Sequence, residues 1–185
     1  LESEPAPDLV IVYNGWNDNL VAVADRFRQE TGDGGEDYST FTGYLQNINH
    51  HPEEFVNATF GAEVGRETAV RYRELQRQLD ELVEAHGGVT AYYFQPDALT
   101  SAQQLAGYRM LSSLTPAELM RSPLAEAGEA ATASLGDAVH DLRGLFDDDP
   151  TQVFLGLVHQ NERGAAVVAR RILDVEMPRM VVLAR

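Results

Sequence analysis

The sequence predicts an α/β fold in which helices connect the strands of a parallel sheet. Three short apolar runs rich in β-branched residues are typical of strands buried on both faces: 8–13, 89–94 and 152–158. Stretches with helical periodicity separate the runs, which is the alternation of an α/β layer with right-handed crossovers. A chain of 185 residues is long enough for one real core, so we expect 1–185 to be a single domain.

The composition excludes several classes of function. The net charge is −15, and the 14 basic residues are all arginine, so the chain lacks the basic footprint of a nucleic-acid-binding protein. An acidic surface is also repelled by anionic membranes, and no apolar run approaches the roughly 20 residues of a membrane span. The chain has no cysteine, which excludes disulfides and thiolate chemistry. The bias toward Arg, Asp, Glu and Ala fits a GC-rich coding bias or a salt-adapted host.

The longest predicted helix covers 66–86 and ends at Gly87, a natural helix stop. Its polar face carries Arg and Glu. The expected buried stripe comprises Val70, Leu75, Leu79, Leu82 and Val83.

Two further helix starts have an N-cap residue followed by proline, at Thr115-Pro116 and Ser122-Pro123. The second of these helices is expected to run toward Leu145. The last predicted helix covers about 163–175, and the Gly-, Asn- and His-rich stretch 32–63 is expected to be a long loop over one end of the sheet.

Polar residues follow each predicted strand at its carboxyl end, where ligands bind in open α/β sheets. An amide, a carboxylate and an imidazole at one edge make a plausible set of donor, orienting group and base. The residues concerned are Asn14 to Asp18 after the first run, Gln95, Pro96 and Asp97 after the second, and His159 to Gly164 after the third.

Two of these stretches together resemble the SGNH, or GDSL-type, hydrolases. Gly15-Trp16-Asn17-Asp18 looks like the third sequence block of that family, Gly-x-Asn-Asp. His159-Gln160-Asn161-Glu162-Arg163-Gly164 looks like its final block, in which the catalytic His precedes the last helix. The resemblance extends over nearly the whole chain.

The resemblance implies a flavodoxin-like three-layer α/β/α fold and the hydrolysis of small-molecule or carbohydrate esters without a cofactor. Carried over by position, Asn17 would donate to the oxyanion and His159 would be the general base that activates a serine. Gly15, Trp16 and Asp18 would support the oxyanion site or the substrate. A fixed amide donor of this kind typically lowers the barrier by about 3–4 kcal/mol.

The first departure from the family concerns the nucleophile. The Gly-Asp-Ser block and the following Gly block are absent, so we expect the chain to be the carboxyl-terminal part of an SGNH hydrolase whose first strands are missing. The open edge of such a sheet tends to pair with itself. None of the following serines stands in a strand-to-helix nucleophile turn: Ser39, Ser101, Ser112, Ser113, Ser122 and Ser134.

The second departure concerns the acid that orients the histidine. The family has Asp-x-x-His, and Gly156 occupies the acid position here. Loss of that acid costs about 10⁴ in rate in the serine-protease triad. Asp147, Asp148 and Asp149 precede the third predicted strand, at its opposite end, so a backbone carbonyl is the better substitute. The protein is then a weak dyad hydrolase, a decayed one, or a non-catalytic binding or scaffold protein derived from that fold.

Simpler explanations exist for several of these residues. Asn17-Asp18 is also a common turn sequence, and Trp16 is better explained as a packing residue than as a substrate wall. His50-His51 with Glu53 and Glu54 fits no tight zinc motif, so we expect no metal site. His86 suits a helix C-terminus, and His140 is expected on the surface of a helix. Tyr92, Tyr93 and Phe94 are expected to face the core.

Overall fold

The computed structural model describes residues 6–32, 41–106, 108 and 113–183. Its strands and helices, in chain order, are β1 Leu9–Asn14, α1 Trp16–Thr31, α2 Phe41–His50, α3 Pro52–Asn57, α4 Gly61–Glu84, β2 Val89–Phe94, α5 Ala102–Leu105, α6 Pro116–Leu119, α7 Pro123–Leu135, β3 His140–Asp141 and α8 Glu162–Leu183.

The described strands form one parallel sheet in the order β1-β2-β3. β1 and β2 pair along their whole length, from Leu9 with Val89 to Asn14 with Phe94. These two strands confirm the predicted strands 8–13 and 89–94 to within one residue. The α/β class and the parallel pairing are therefore confirmed.

The predicted third strand, 152–158, is wrong. The segment forms a bent turn, and its only ladder contact within the described part of the chain is an isolated antiparallel bridge between Phe154 and Gln160. Its apolar side chains are largely buried, but its backbone is not part of the described sheet. The Val153 amide instead donates a hydrogen bond to Oε1 of Gln104 at 3.0 Å. The third strand is instead the two-residue β3, which pairs with Tyr93 and Phe94.

Helices cover both faces of the sheet at β2. The Tyr92 hydroxyl donates to the carbonyl of Gln76 in α4 at 3.1 Å, and the Tyr93 hydroxyl donates to Glu176 in α8 at 2.5 Å. Successive residues of a strand point to opposite faces, so α4 and α8 lie on opposite sides. Tyr92, Tyr93 and Phe94 are all buried, as predicted.

The helix α4 starts five residues earlier than predicted, and its buried face matches the predicted stripe only in part. Val83 is buried and Leu79 packs against the core, as predicted. Gly61 and Gly65 lie against the backbone of α7, where a Cβ on Gly61 would come within 2.5 Å of the Pro123 carbonyl. Since close approach of two backbones requires small residues, the larger apolar residues lie elsewhere on the helix. Val70, Leu75 and Leu82 of the predicted stripe are about 60% exposed, at 63%, 61% and 59%.

The predicted loop 32–63 is also wrong where it is described, because it contains α2, α3 and the start of α4; 33–40 lies outside the described residues. The buried Leu45 and Ile48 of α2 and Phe55 of α3 join the main core. Burial of a few apolar side chains stabilises short helices despite a polar local sequence.

Other boundaries differ from the prediction. α7 ends at Leu135 rather than near Leu145, because Gly136 has a φ of +55° and cannot continue a right-handed helix. His140 therefore lies in β3 and not on a helix, with its ring stacked on Tyr93 at 4.8 Å. α8 extends well beyond 175, to Leu183. None of the described helices has the length and apolar composition needed to cross a bilayer.

Candidate functional site

The three polar segments predicted to share one edge of the sheet do meet there. The Gln95 amide donates to the Asn14 carbonyl at 3.1 Å, which joins the ends of β1 and β2. The third segment docks without being a strand, since the Ala98 amide donates to the Leu157 carbonyl at 2.8 Å. Gln160, the residue after His159, contacts residues at the ends of both strands.

The side chain of Gln160 makes these contacts. Its Oε1 accepts from the Tyr13 hydroxyl at 3.5 Å, and its Nε2 donates to the Pro96 carbonyl at 3.4 Å. Burial raises the pKa of Tyr13 to about 12, so this hydroxyl remains protonated at neutral pH and donates. The shortest bond of Gln160 is local, from Nε2 to the Val158 carbonyl at 2.6 Å, and the two longer contacts bring the segment that carries His159 to the ends of β1 and β2.

Gly15 makes the sharp turn between β1 and α1. Its φ is +109°, and a Cβ at this position would lie 2.5 Å from the ring of Phe94. Both the backbone angle and the close approach require glycine. The turn places Asn17 in the first turn of α1, directly after the end of β1.

Asn17 and Asp18 both have exposed side chains and line a cavity of about 340 Å³ between α1 and α4. Arg71 and Tyr72 form part of the opposite wall. Desolvation raises the pKa of Asp18. The Tyr72 hydroxyl donates to the side chain of Asn14, which connects this wall of the cavity to the end of β1.

Trp16 is 2% exposed and belongs to the main core. This burial agrees with the packing interpretation of Trp16. Its indole N–H has no hydrogen-bond partner among the described residues, and neither amide atom of the buried Asn19 has one. Asn19 lies one turn further along the same side of α1, and sequence reasoning did not single it out.

His159 is exposed, and its ring makes no ion pair or hydrogen bond with the described residues. A Cβ on Gly156 would lie 3.7 Å from its Nδ1, an ordinary contact distance. The position three residues before the histidine therefore faces the ring. Asp149 is committed elsewhere, since it pairs with Arg163 at 2.9 Å.

Asp97, which follows β2, is the most perturbed carboxyl group at this edge. It is 4% exposed, and its Oδ1 accepts from the Leu99 amide at 2.8 Å. Desolvation raises the pKa of Asp97 to about 7. It lines a cavity of about 320 Å³ together with Glu129 and Arg143. The sequence places Asp97 at the edge but does not reveal its burial.

The described serines offer no nucleophile at this edge. Ser122 is buried and donates to the Leu119 carbonyl at 2.7 Å, and Ser113 donates to Asn49 at 2.6 Å. Ser101 is buried ahead of α5, and Ser134 lies inside α7. Ser39 and Ser112 lie outside the described residues.

Within 6–32, 41–106, 108 and 113–183, no group of three or more His, Cys, Asp or Glu residues is arranged to hold a metal ion. His51 lies 3.9 Å from Glu54 across one helical turn. Comparison of the chain with known protein families, with curated proteins and with solved structures finds no match.

Proposed function

We propose that this chain contributes to an ester hydrolase of the SGNH type. In this proposal Asn17 donates to the oxyanion, His159 is the general base, and the serine comes from outside the residues printed here. The observation that carries the proposal is the contact of Gln160 with both Tyr13 and Pro96. It supports a shared edge for His159 and Asn17, although their sequence positions are far apart.

The proposed chemistry follows from these two side chains. The serine oxygen attacks the ester carbonyl while His159 takes its proton, and the Asn17 amide N–H stabilises the resulting oxyanion. Collapse expels the alcohol, which receives the proton from His159. Water then repeats the sequence and releases the acid and the free serine. Gly156 leaves the imidazole without its carboxylate, so the proposed enzyme works as a dyad.

The proposal includes the flavodoxin-like three-layer arrangement of the family. The opposite directions of Tyr92 and Tyr93, toward α4 and α8, support it. The cavity that begins at Asn17 and Asp18 is the proposed site for the acyl or alcohol group of the ester. Its volume of about 340 Å³ is in the range of small-molecule pockets.

Ester turnover by the natural full-length protein tests this proposal. We expect Asn17→Ala to lower kcat by about 10²–10³, the usual cost of losing one oxyanion donor, with little change in KM. His159→Ala should lower kcat at least as much. Asn57→Ala, an exposed amide in α3, is the matched control. Unchanged turnover in both site variants would exclude these residues from the mechanism.

A non-catalytic binding or scaffold protein is the second candidate. The exposed His159 ring, with no described carboxylate partner, favours it. This candidate predicts no ester turnover by the natural protein. It also predicts that ligand binding at the cavity depends on Asp18 and Arg71 and is insensitive to His159→Ala.

Self-association through the edge of β1 is part of this second candidate, because the ester-hydrolase proposal needs preceding strands, with the serine, beside the sheet. In the described sheet β1 pairs only with β2, so its other edge has no strand beside it. Free edges of this kind pair readily with other strands.

A further inference from the structure

The cavity beside Asp97 is lined mainly by three separate parts of the chain: the segment after β2, the helix α7 and the turn after β3. Each part contributes one ionisable side chain, namely Asp97, Glu129 and Arg143. The described lining shares no residue with that of the cavity at Asn17. A ligand bound beside Asp97 is therefore independent of the proposed ester hydrolysis.

Asp97 brings to this cavity a buried carboxyl group with one unused oxygen. Its Oδ1 accepts from the Leu99 amide at 2.8 Å, whereas Oδ2 has no hydrogen-bond partner among the described residues. The side chain is more than nine-tenths buried, since only 4% of Asp97 is exposed. Buried polar atoms are nearly always hydrogen-bonded, so an unpaired carboxyl oxygen that borders a cavity is a candidate ligand contact.

Glu129 supplies a second carboxylate from the α7 wall. It lies one helical turn after Ala125, which also lines the cavity. Its side chain is exposed and forms no ion pair or hydrogen bond with the part of the chain that the structure describes. A ligand in the cavity therefore lies between the buried carboxyl group of Asp97 and the exposed one of Glu129.

The basic side chain of the lining, Arg143, is already paired with a carboxylate. Its Nε and Nη2 donate to the two carboxylate oxygens of Asp141 at 3.1 and 2.8 Å. Burial is the largest cause of the raised pKa of Asp97; Asp141 and Asp147 raise this pKa further, and Arg143 lowers it. Together with Glu129, the acidic groups around the cavity outnumber Arg143, which favours a cationic ligand over an anionic one.

We propose that this cavity binds the ammonium group of a small organic cation, which donates to Oδ2 of Asp97 and to the carboxylate of Glu129. Leu99, Met120 and Ala125 provide apolar contacts for the rest of the ligand. The volume of about 320 Å³ is at the lower end of the range for small-molecule pockets. A bare Ca²⁺ ion fits less well, because it takes about six to eight oxygen ligands.

Binding of the cation should be coupled to ionisation of Asp97. Because the pKa of Asp97 is about 7, about half of the molecules carry a neutral carboxyl group there at pH 7. A cation interacts favourably with the charged form, so its affinity falls as the pH falls below 7. We expect the Kd to rise about a hundredfold between pH 8 and pH 5, in proportion to the loss of the carboxylate form.

An NMR titration of the natural full-length protein with n-butylammonium is the first test. The ionic strength is held constant, because a net charge of −15 attracts any cation. The Leu99 amide is the reporter, since it donates to Asp97. We expect saturable shifts with a Kd of about 1 mM at pH 8. Neutral n-butanol, and n-butyltrimethylammonium, which has the charge but no N–H, should bind at least about tenfold more weakly.

Substitutions of the two carboxyl groups are the second test. Asp97→Asn keeps the acceptor for Leu99 and removes the charge, and Glu129→Gln does the same at the second contact. We expect each variant to raise the Kd at least about tenfold at pH 8. Glu126→Gln is the matched control on α7 and should leave the Kd unchanged. The Glu126 carboxylate would lie 2.8 Å from a Cβ on Gly61, so it faces α4.

The pH titration of the Leu99 amide links binding to Asp97. At ten times the Kd, n-butylammonium should lower the midpoint of this titration by about one pH unit. Three outcomes would overturn the proposal: no saturable shift up to about 100 mM, an equal Kd for Asp97→Asn and wild type, or tighter binding of n-butyrate than of n-butylammonium. Tighter binding of Ca²⁺ to the same residues would make this a metal site and also overturn it.

Discussion

A Cβ atom on Gly156 would lie 3.7 Å from Nδ1 of His159, with no clash at that distance. A side chain at position 156 would therefore begin beside the ring, within reach of a ring nitrogen. One substitution is therefore enough to test whether the carboxylate matters.

Replacing Gly156 with Asp should give the ring N–H at Nδ1 a carboxylate acceptor. We expect Gly156→Asp to show a slowly exchanging His159 ring N–H in ¹H–¹⁵N NMR spectra that the wild type lacks. If the natural protein hydrolyses esters through His159, turnover should also rise at least tenfold. Gly156→Asn, with the same shape and no charge, is the control. Equal spectra and equal turnover for both variants would contradict this prediction.

The buried carboxyl group of Asp97 should make stability depend on pH. Its folded-state pKa of about 7 exceeds the unfolded value near 3.9, so the native state binds the proton more tightly. The resulting stabilisation is fully present below about pH 4 and is lost as the pH rises to about 7, a change of about 4 kcal/mol.

Asp97→Asn, which keeps the acceptor for the Leu99 amide, should remove this dependence. In urea unfolding, we expect the free energy of unfolding of the variant, minus that of the wild type, to increase by about 4 kcal/mol between pH 4 and pH 8. Asp137→Asn, at an exposed carboxyl group, should not change the slope. A parallel pH dependence for Asp97→Asn and wild type would show that Asp97 ionises normally.

Gly15→Ala should destabilise the protein more than an alanine at another glycine with positive φ. Gly15 combines the backbone angle with contact to Phe94, whereas Gly32 has a φ of +67° and nothing within 4 Å of a Cβ. We expect a loss of about 1 kcal/mol for Gly32→Ala and about 3 kcal/mol for Gly15→Ala, from strain plus overpacking. Thermal unfolding compares the two directly, and equal losses would mean that Phe94 moves aside at little cost.

Gln104 should be a major determinant of the bent segment that replaces the predicted third strand. Its side chain is 1% exposed, donates to the carbonyls of Asp149 and Thr151 at 3.0 Å each, and accepts from Val153. Gln104→Ala should cost about 2–4 kcal/mol, because buried backbone groups lose their partners.

The adjacent Gln103 provides the control for Gln104. It is exposed, and its side chain makes one hydrogen bond with the described residues, to the carbonyl of Pro150. We expect Gln103→Ala to cost well under 1 kcal/mol in the same chemical denaturation experiment. Equal effects of the two alanines would refute the assigned role of Gln104.

The accuracy of the sequence predictions depended on how local the stabilising contacts are. β1 and β2 were predicted because continuous apolar runs between turn residues specify buried strands by themselves. The run 152–158 has the same pattern, but its amide at Val153 is satisfied by a side chain about fifty residues away. Apolar patterning predicts burial there correctly and cannot predict which group the backbone bonds to.

In the candidate site, too, some features follow from the sequence and others depend on tertiary packing. The grouping of the segments after β1, after β2 and before α8 at one edge was predictable, because chain order and strand direction determine it. The burial of Asp97 and the exposure of His159 were not, since both depend on how neighbouring segments pack. The buried face of α4 was predicted only at Leu79 and Val83, because the close contact with α7 selects Gly61 and Gly65 at the start of the helix.

The close contact between α4 and α7 also has a consequence for synthesis on the ribosome. Gly61 and Gly65 meet residues of α7 that are translated about sixty positions later, so this face of α4 has no cover when it first emerges. Contacts of such long range form late and slowly. The contact between α4 and α7 therefore cannot form until α7 has been synthesised. Until then the first half of the chain, including the turn that carries Asn17, is incompletely packed. During that interval a holdase chaperone would find its apolar surface exposed.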